Sequence, residues 1–319
     1  MRKKINDLVV VMLAYNHESY VKQSILSIFD QTVLPEKLII LDDASQDSTQ
    51  EIIKGLCENA PINLDVELRL NKKNQGLPSQ LSSIKNEFKN VLIVFQACDD
   101  VALSMRLEVI YGEWVRLDKP SIVHSSYYEI DCEGNRVGEK IYQNRNKRIL
   151  KNIINRKIEL MGCAVAVHSD VINFFPSMSS DVGSDDRVLL FRAALVGTAV
   201  VIKQPLLEYR INVGMSFTKR DTANDIFKSE RKYLLDELAD LNENRRDAEY
   251  ANNYEIIDCI ENRKGYIRYT LNEILMEKKD SISNFRFFLD VLFNVSFRYW
   301  PSAFRRKKRY KILKDMIND

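Results

Sequence analysis

Residues 37–43 read Lys-Leu-Ile-Ile-Leu-Asp-Asp, and residues 91–100 read Val-Leu-Ile-Val-Phe-Gln-Ala-Cys-Asp-Asp. Each segment is a short apolar run, typical of a strand buried on both faces, and each ends in a pair of aspartates. Ligands of open parallel sheets bind at the carboxyl ends of the strands, so we expect both pairs to face a ligand. Paired carboxylates at such a place are suited to a hard divalent cation.

The surrounding sequence alternates between strand and helix patterns. An apolar strand over residues 8–14 is followed by a helical stripe formed by Val21, Ile25, Ile28 and Phe29. This alternation continues to residue 95 and predicts an α/β fold with a mostly parallel sheet flanked by helices. Further elements are expected at 81–88, 103–117 and 188–195 as helices, and at 121–130, 162–167 and 199–207 as strands, the last ending near Pro205.

Composition excludes several classes of protein. The 319 residues are 45% hydrophobic and 29% charged, which argues against disordered, collagen-like and membrane-spanning chains. The five cysteines form no CxxC pair, so neither a zinc site nor a disulfide framework is expected. The apolar run near the N-terminus is too short for a signal peptide, and we expect a cytoplasmic protein.

The C-terminal segment differs from the rest of the chain. Residues 285–300 are rich in aromatic side chains, and the basic cluster Arg305–Arg309 follows them. This pattern favours peripheral contact with an anionic lipid surface at the inner face of the cell membrane. Packing of the aromatics onto the preceding domain is the main alternative, and a nucleic-acid patch is the weakest; we expect no nucleic-acid partner.

Four polar segments could meet in one pocket: residues 14–16, 42–47, 98–100 and 184–187. A structural explanation exists for some of them. Asp42 and Asp43 could simply cap a turn and helix, and Asp185 and Asp186 are favoured at a helix N-terminus by the helix dipole.

The combination of motifs resembles the family 2 glycosyltransferases of the GT-A fold, of the bacterial surface-polysaccharide type. The resemblance covers about residues 7–217. It rests on residues 10–21, Ser27-Ile28 with Gln31-Thr32, residues 39–49, Asn74-Gln-Gly76, Cys98-Asp99-Asp100, Asp185-Asp186 with Arg192, Pro205-Leu206 and Tyr209-Arg210. It implies a GT-A domain over 1–220 and a helical C-terminal region over 221–319.

The resemblance also implies a donor, an acceptor and a metal ion. The donor would be a nucleotide-diphosphate sugar, with UDP expected first, the acceptor a glycan or lipid-linked hydroxyl, and the cofactor Mn²⁺ or Mg²⁺. The residue roles carried over are Ala14, Tyr15, Asn16, Asn74 and Gly76 for the nucleotide, Asp42 and Asp43 for the base, Asp99 for nucleotide and metal, Asp100 for metal, Asp186 as general base with Asp185 beside it, and Arg210 for the diphosphate or acceptor.

One departure from the family pattern leaves an alternative open. Ala97 occupies the position where many members carry the first aspartate of the metal motif. A catalytically silent protein that binds a nucleotide sugar or glycan is therefore the competing hypothesis. Another nucleotide-using α/β transferase is less favoured, because no Gly-rich phosphate loop follows the first strand.

Overall fold

The computed structural model describes residues 2–143, 148–158, 162–213 and 222–276. The chain divides into two compact units. The first contains the described residues of Met1–Ile149, Ile158–Ser180 and Asp185–Phe217, and the second those of Leu150–Lys157, Asp181–Ser184 and Thr218–Asp319. We describe each unit by itself.

The first unit is built on one sheet, to which nine strands contribute within the described ranges. Four neighbouring strands, in the order β3-β2-β1-β4, are all parallel. They are β1 Lys3–Ala14, β2 Val33–Asp42, β3 Asp65–Leu70 and β4 Leu92–Ala97, and the helices between and after them are α1 Val21–Phe29, α2 Thr49–Cys57, α3 Leu77–Ser83 and α4 Arg106–Arg116. The predicted α/β fold with parallel strands is confirmed in this half.

The parallel strands form because their apolar runs are buried on both faces. Residues 8–12 of β1 are fully buried, as are residues 38–40 of β2. The helices cover them with their apolar stripes, and Ile25 and Ile28 of α1 are also fully buried. Leu8, Val10 and Met12 of β1, Leu38 and Ile40 of β2 and the two α1 residues belong to a single core cluster, which holds β1, β2 and α1 together.

The second half of the sheet is mixed. β8 lies antiparallel between β4 and β6, while β6 runs parallel to β9 and β5 completes the order beyond β9. A further strand, β7, pairs with β6. These elements are β5 Val101–Ala102, β6 Ile122–Ile130, β7 Arg136–Lys140, β8 Val165–His168 and β9 Ala199–Arg210, with helices α6 Ser169–Phe174 and α7 Asp185–Val196.

Several predicted boundaries differ from the structure. The strand expected over 162–167 begins only at Val165, because residues Gly162–Ala164 form a short 3₁₀ helix. The strand expected to end near Pro205 continues to Arg210, because the β6–β9 register shifts next to the proline and the ladder resumes beyond it. The helix expected over 81–88 instead covers Leu77–Ser83. Gly76, at φ +77°, turns the chain into this helix, and Pro78 lies in its first turn, so the turn residues rather than the apolar pattern set its start.

The second unit is helical and contains α8 Ala223–Tyr250 and α9 Ile257–Met276, together with most of α5 Ile149–Ile154. A capping box between Thr222 and Asp225 begins α8. No helix in the described part of the chain is long and apolar enough to span a bilayer. The assignment of 221–319 to one helical region stays a prediction, and the aromatic and basic segments at 285–309 lie outside the described residues.

Charged side chains are buried inside the second unit. Asp240 accepts hydrogen bonds from the N–H groups of Gly183 and Ser184, both at 3.0 Å, and pairs with Arg156 at 3.0 Å. Glu237, one turn earlier on α8, pairs with Arg263 at 2.6 Å. Burial raises the pKa of Asp240 to about 6, against the lowering effects of Arg156 and the N–H groups.

This raised pKa predicts a dependence of stability on pH. Because the folded-state pKa of Asp240 exceeds the unfolded value of 3.8, its contribution is fully present below that value and is lost as pH rises through about 6. Relative to Asp240→Asn, the unfolding free energy should fall by about 2 kcal/mol between pH 4 and 7. Urea unfolding of both proteins at several pH values measures this difference.

Asp236→Asn is the matched control, since Asp236 lies one turn away on α8 and its ion pair with Lys232 is at the surface. A difference profile for Asp240→Asn that is as flat as this control would contradict the prediction.

Candidate active site

The register of the parallel strands brings three of the predicted segments together. Ala14 at the end of β1 pairs with Asp42 at the end of β2, and its neighbour Leu13 pairs with Ala97 at the end of β4. The residues that follow continue the same pattern, because the Asp43 N–H donates to the Ala14 carbonyl and the Cys98 N–H to the Leu13 carbonyl. Both aspartate pairs therefore lie at one edge of the sheet.

Asp42 is fully buried and shapes the turn that leads into α2. Its carboxylate accepts hydrogen bonds from the Ser45 N–H at 3.0 Å and from Gln50 Nε2 at 2.6 Å, and it also accepts one from the Ser45 hydroxyl. These contacts fit the capping explanation for this residue. A direct contact of Asp42 with a base stays a prediction.

Asp43 is 2% exposed and holds the loop that precedes α3. It accepts hydrogen bonds from Asn71 Nδ2 and the Gln75 N–H, both at 2.9 Å, and from the Gly76 N–H at 2.8 Å. Asn74 lies in the same loop, and its side-chain oxygen accepts from the Gly76 N–H at 3.2 Å. The structure thus joins Asp43, Asn74 and Gly76, three residues assigned to the nucleotide from the sequence.

Hydrogen bonds join the loop after β1 to the loop after β2. Asn16, at φ 55°, donates its N–H to Ser45 Oγ at 2.9 Å and accepts from the Gln46 N–H at 2.8 Å. The His17 N–H donates to Thr49 Oγ1 at 2.8 Å. Tyr15, directly before these residues, is half-buried. The two loops therefore form one surface at the strand ends.

The second aspartate pair is asymmetric. Asp100 is fully buried, whereas the Asp99 side chain is 13% exposed and lies with its Oδ2 3.7 Å from His17 Nε2. Asp100 Oδ1 accepts from the Arg210 N–H at 2.9 Å, and the Cys163 thiol lies close to the carboxyl group. The Oδ2 atom has no partner at normal hydrogen-bond geometry among the described residues. Burial first, and then the charge of Asp99, raise the pKa of Asp100 to about 8.

This pair fits a small metal site. No group of three or more His, Cys, Asp or Glu side chains in the described ranges could enclose an ion. Mg²⁺, however, commonly takes one or two protein carboxylates and completes its shell with water and substrate phosphates. The partnerless Oδ2 of Asp100 is a suitable ligand atom, with Asp99 beside it. Ala97, partly exposed at the end of β4, supplies no ligand.

A buried arginine under the site was not predicted from the sequence. Arg106 is fully buried and donates to Gln96 Oε1 at 2.6 Å, to the Phe95 carbonyl at 2.8 Å and to the Cys163 carbonyl at 2.5 Å. Burial lowers its pKa to about 10, which still leaves it cationic at neutral pH. It therefore joins β4 to the short 3₁₀ helix Gly162–Ala164. Its place in an amphipathic helix gave no signal of this role.

The third aspartate pair opens α7, as predicted. Asp185 and Asp186 are half-buried in the first turn of that helix. A Cβ added to Gly162 would lie 3.1 Å from the Asp186 Cβ, so Asp186 packs directly on the 3₁₀ helix. The next residue of that helix, Cys163, places its thiol at Asp100. Asp186 and Asp100 are therefore both adjacent to the same three-residue segment.

Arg210 is held by several hydrogen bonds at the end of β9. It is 2% exposed at the end of β9, and its guanidinium donates to the carbonyls of Asp99 at 3.0 Å and Asp131 at 2.8 Å and to Gln23 Oε1 at 2.9 Å. It also stacks over the Tyr20 ring, with the guanidinium carbon 4.5 Å from the centroid. In this structure Arg210 positions the aspartate pair, and its contact with a diphosphate or acceptor stays a prediction.

Comparison with known proteins identifies a family whose matched region includes most of the site residues described above. A family model described as glycosyl transferase family 2 matches residues 9–171, which is just over half of the chain. The chain belongs to glycosyltransferase family 2. The matched region contains the end of β1 and all of β2, β3 and β4 with the Asp42–Asp43 and Asp99–Asp100 pairs, as well as Arg106 and Cys163.

The relatives of this chain are distant. An uncharacterized glycosyltransferase of Haemophilus influenzae is 28% identical over 128 residues, which are 40% of this chain and 50% of the relative. The chain spans half or less of the length of the curated relatives it matches.

Solved structures agree with the fold. TarS of S. aureus in complex with UDP has a TM-score of 0.51 at 14% identity, covering 93% of this chain and 77% of TarS. Mannosyltransferase PcManGT from Pyrobaculum calidifontis, in complex with GDP-Man and Mn²⁺, has a TM-score of 0.51 at 14% identity, covering 86% and 76%. The predicted GT-A fold is confirmed, and the described part of the C-terminal region is helical, in α8 and α9.

The bonds made by Arg210 predict a large effect on stability. Arg210→Met keeps the N–H that holds Asp100 but leaves the carbonyls of Asp99 and Asp131 and the side chain of Gln23 without this donor. We expect the unfolding free energy to fall by about 2–4 kcal/mol in urea titrations.

Arg116→Met serves as the control, since Arg116 forms an exposed pair with Glu113 on α4 and should matter little. Equal effects of the two substitutions would contradict a positioning role for Arg210.

Proposed function

We propose that this family 2 glycosyltransferase transfers a sugar from a nucleotide-diphosphate donor to an acceptor hydroxyl, with a divalent metal ion and with inversion at the anomeric carbon. The observation that carries the proposal is the Asp99–Asp100 pair at the end of β4. Its buried Oδ2 atom has no partner among the described residues and lies beside a more exposed carboxylate.

The donor is a nucleotide sugar because three features supply what such a molecule needs. Tyr15 is a half-buried aromatic ring at the strand ends and is suited to stack on a base. Asp43 has a carboxylate that can accept from base N–H groups if it exchanges a loop contact. Structural neighbours bind UDP, UDP-GlcNAc and GDP-Man. UDP is our first expectation for the nucleotide.

A metal ion is proposed from the two carboxylates, Asp99 and Asp100. When bound, Mn²⁺ or Mg²⁺ would stabilise the negative charge that develops on the leaving diphosphate. The protein contributes the fixed direction of Asp100, whose Oδ1 is held by the Arg210 N–H. The neighbour PcManGT contains Mn²⁺, which supports the choice of ion.

Asp186 is the proposed general base, with Asp185 beside it. An acceptor hydroxyl is a poor nucleophile at neutral pH, so a carboxylate must take its proton as the new bond to the anomeric carbon forms. The bond from that carbon to the diphosphate oxygen breaks on the opposite side, which inverts the configuration. The packing of Asp186 on Gly162, next to Cys163 and Asp100, supports this role.

The acceptor is proposed to be a glycan or a lipid-linked sugar of cell-surface polysaccharide biosynthesis. The C-terminal segment would then bring the enzyme to the inner face of the cell membrane, through the aromatics at 285–300 and the cations at 305–309. Both ideas rest on the sequence.

A silent nucleotide-sugar or glycan-binding protein is the second candidate. Ala97 favours it, because the first acid of the metal motif is missing and the remaining carboxylates must bind the ion with less help. Measured turnover separates the two candidates, because only the enzyme transfers the sugar.

Nucleotide and metal binding can be measured by thermal unfolding. Titration of UDP, GDP, CDP and dTDP with and without Mn²⁺ should raise the Tm by about 2–4 °C for one nucleotide. The shift should grow when Mn²⁺ is present. Asp100→Asn should abolish that metal-dependent increment, whereas the exposed Asp30→Asn should keep it. Absence of any shift in the unmodified protein would reject the proposal.

The base can be tested by Asp186→Asn. We expect nucleotide binding to be retained and sugar transfer to fall by about 10²–10⁴, the usual contribution of a general base. Asp170→Asn, which also replaces an acid in the first turn of a helix, should leave transfer unchanged. Full transfer by Asp186→Asn would exclude the residue as the base.

The membrane hypothesis predicts that deletion of residues 286–319 releases the protein from anionic phosphatidylserine vesicles in a sedimentation assay. The full chain should sediment with these vesicles at low salt and less at high salt. Equal sedimentation of both proteins would reject the tail as the anchor.

A further inference from the structure

Three tyrosines form a compact aromatic group in the first unit. The Tyr127 ring lies 5.4 Å from that of Tyr209 and 6.0 Å from that of Tyr142, measured between centroids and in tilted or edge arrangements. Tyr127 is only 5% exposed, whereas Tyr142 and Tyr209 are half-buried. The group therefore has a buried base and two rings that reach the surface.

The strand pairing places this group beside Asp100. Tyr127 of β6 pairs with Leu207 of β9, two residues before Tyr209. Val101, which follows Asp100, pairs with Glu208. The residue after Tyr209 is Arg210, whose N–H binds Asp100. Tyr209 thus lies between two residues that contact the Asp100–Val101 segment.

Packing leads to the same place. The apolar cluster that contains the tyrosines also contains Ala97, Cys163, Ala164 and Leu207. Cys163 adjoins Asp100 through its thiol, and Ala97 ends the strand from which the aspartate pair projects. These residues form an aromatic and apolar wall next to the Asp99–Asp100 pair. The wall includes Ala97, the position at which an aspartate would have made it polar.

The wall is also well supported and uncharged. The Tyr142 N–H donates to Ser126 Oγ at 3.0 Å, and the Tyr142 ring meets the buried His124 ring edge-on at 4.6 Å. Burial, and then the charge of Arg106, lower the pKa of His124 to about 3, so this ring is neutral. Burial also raises the pKa of the Tyr127 phenol, which stays protonated.

We propose that Tyr142 and Tyr209, supported by Tyr127, form a subsite that binds the apolar face of a sugar ring. A pyranose offers a face of C–H groups that packs on aromatic rings and a rim of hydroxyls that pairs with phenol oxygens. Such a mixture of aromatic walls and few polar groups is typical of small-ligand sites. The inference rests on the proposed function, and the ring could belong to the donor or to the acceptor.

The experiment compares Tyr142→Ala, Tyr209→Ala and both Phe replacements with the unmodified protein. Isothermal titration gives the affinities for UDP and UDP-GlcNAc and for GDP and GDP-mannose, and saturation-transfer NMR gives those for methyl glycosides. Loss of a ring should weaken sugar binding about tenfold, whereas Phe should stay within about threefold. Tyr128→Ala is the matched control, since Tyr128 points to the other face of β6 and stacks with Arg136.

Each result has a defined meaning. Weaker nucleotide-sugar binding with unchanged nucleotide-diphosphate binding assigns the subsite to the donor, and unchanged UDP or GDP affinity also shows that the variant is folded. Weaker methyl glycoside binding alone assigns it to the acceptor. Sugar affinities that survive both Ala substitutions would overturn the subsite. Lack of nucleotide binding by the unmodified protein would instead overturn the proposed function, while ring-dependent glycoside binding would still support the subsite.

Discussion

The structure of the site depends on the burial of one carboxyl group, that of Asp100, which the surrounding residues must stabilise. A carboxyl group withdrawn from water at the end of a buried strand is costly to ionise, and the adjacent Asp99 increases that cost. Three groups offset part of this cost and favour the ionised carboxylate: the main-chain N–H of Arg210 in β9, the Cys163 thiol in the 3₁₀ helix and the cation of Arg106 beneath β4. Each contact comes from a different part of the first unit, so the position of one side chain depends on the assembly of the whole sheet.

The three aspartate pairs solve different physical problems. The carboxylates of Asp42 and Asp43 accept hydrogen bonds that fix the conformation of two loops, and these loops form a defined surface at the strand ends. Asp99 and Asp100 are less fully compensated within the described chain, which makes them the ones suited to an added positive charge. Asp185 and Asp186 sit where the helix dipole favours acids, yet the close contact of Asp186 with Gly162 brings it near the others. Similar sequence signals therefore carry unequal chemical meanings.

The parallel half of the sheet could be predicted because its information is local. Apolar runs over 8–14, 38–41 and 91–95, separated by a helical stripe and capping residues, specify the strands, and the topology then gathers their ends. The other half depends on contacts between distant residues. Three of its features produce no periodic pattern of apolar residues in the sequence. They are the antiparallel insertion of β8 between β4 and β6, the continuation of β9 past Pro205 and the burial of Arg106 under β4. The tyrosine group could not be predicted from the sequence for the same reason, since its members are separated by up to 82 positions.

The way Asp43 holds its loop bears on how members of such a family diverge. Two of its three hydrogen bonds go to main-chain N–H groups, at Gln75 and Gly76, and every residue except proline can supply such a donor. The path of the loop therefore depends little on the side chain at position 75, although the positive φ at Gly76 keeps that position restricted. A loop anchored by its backbone can exchange side chains while its shape persists. Evolution could thereby alter which ligand groups the strand ends meet without having to rebuild the scaffold that presents them.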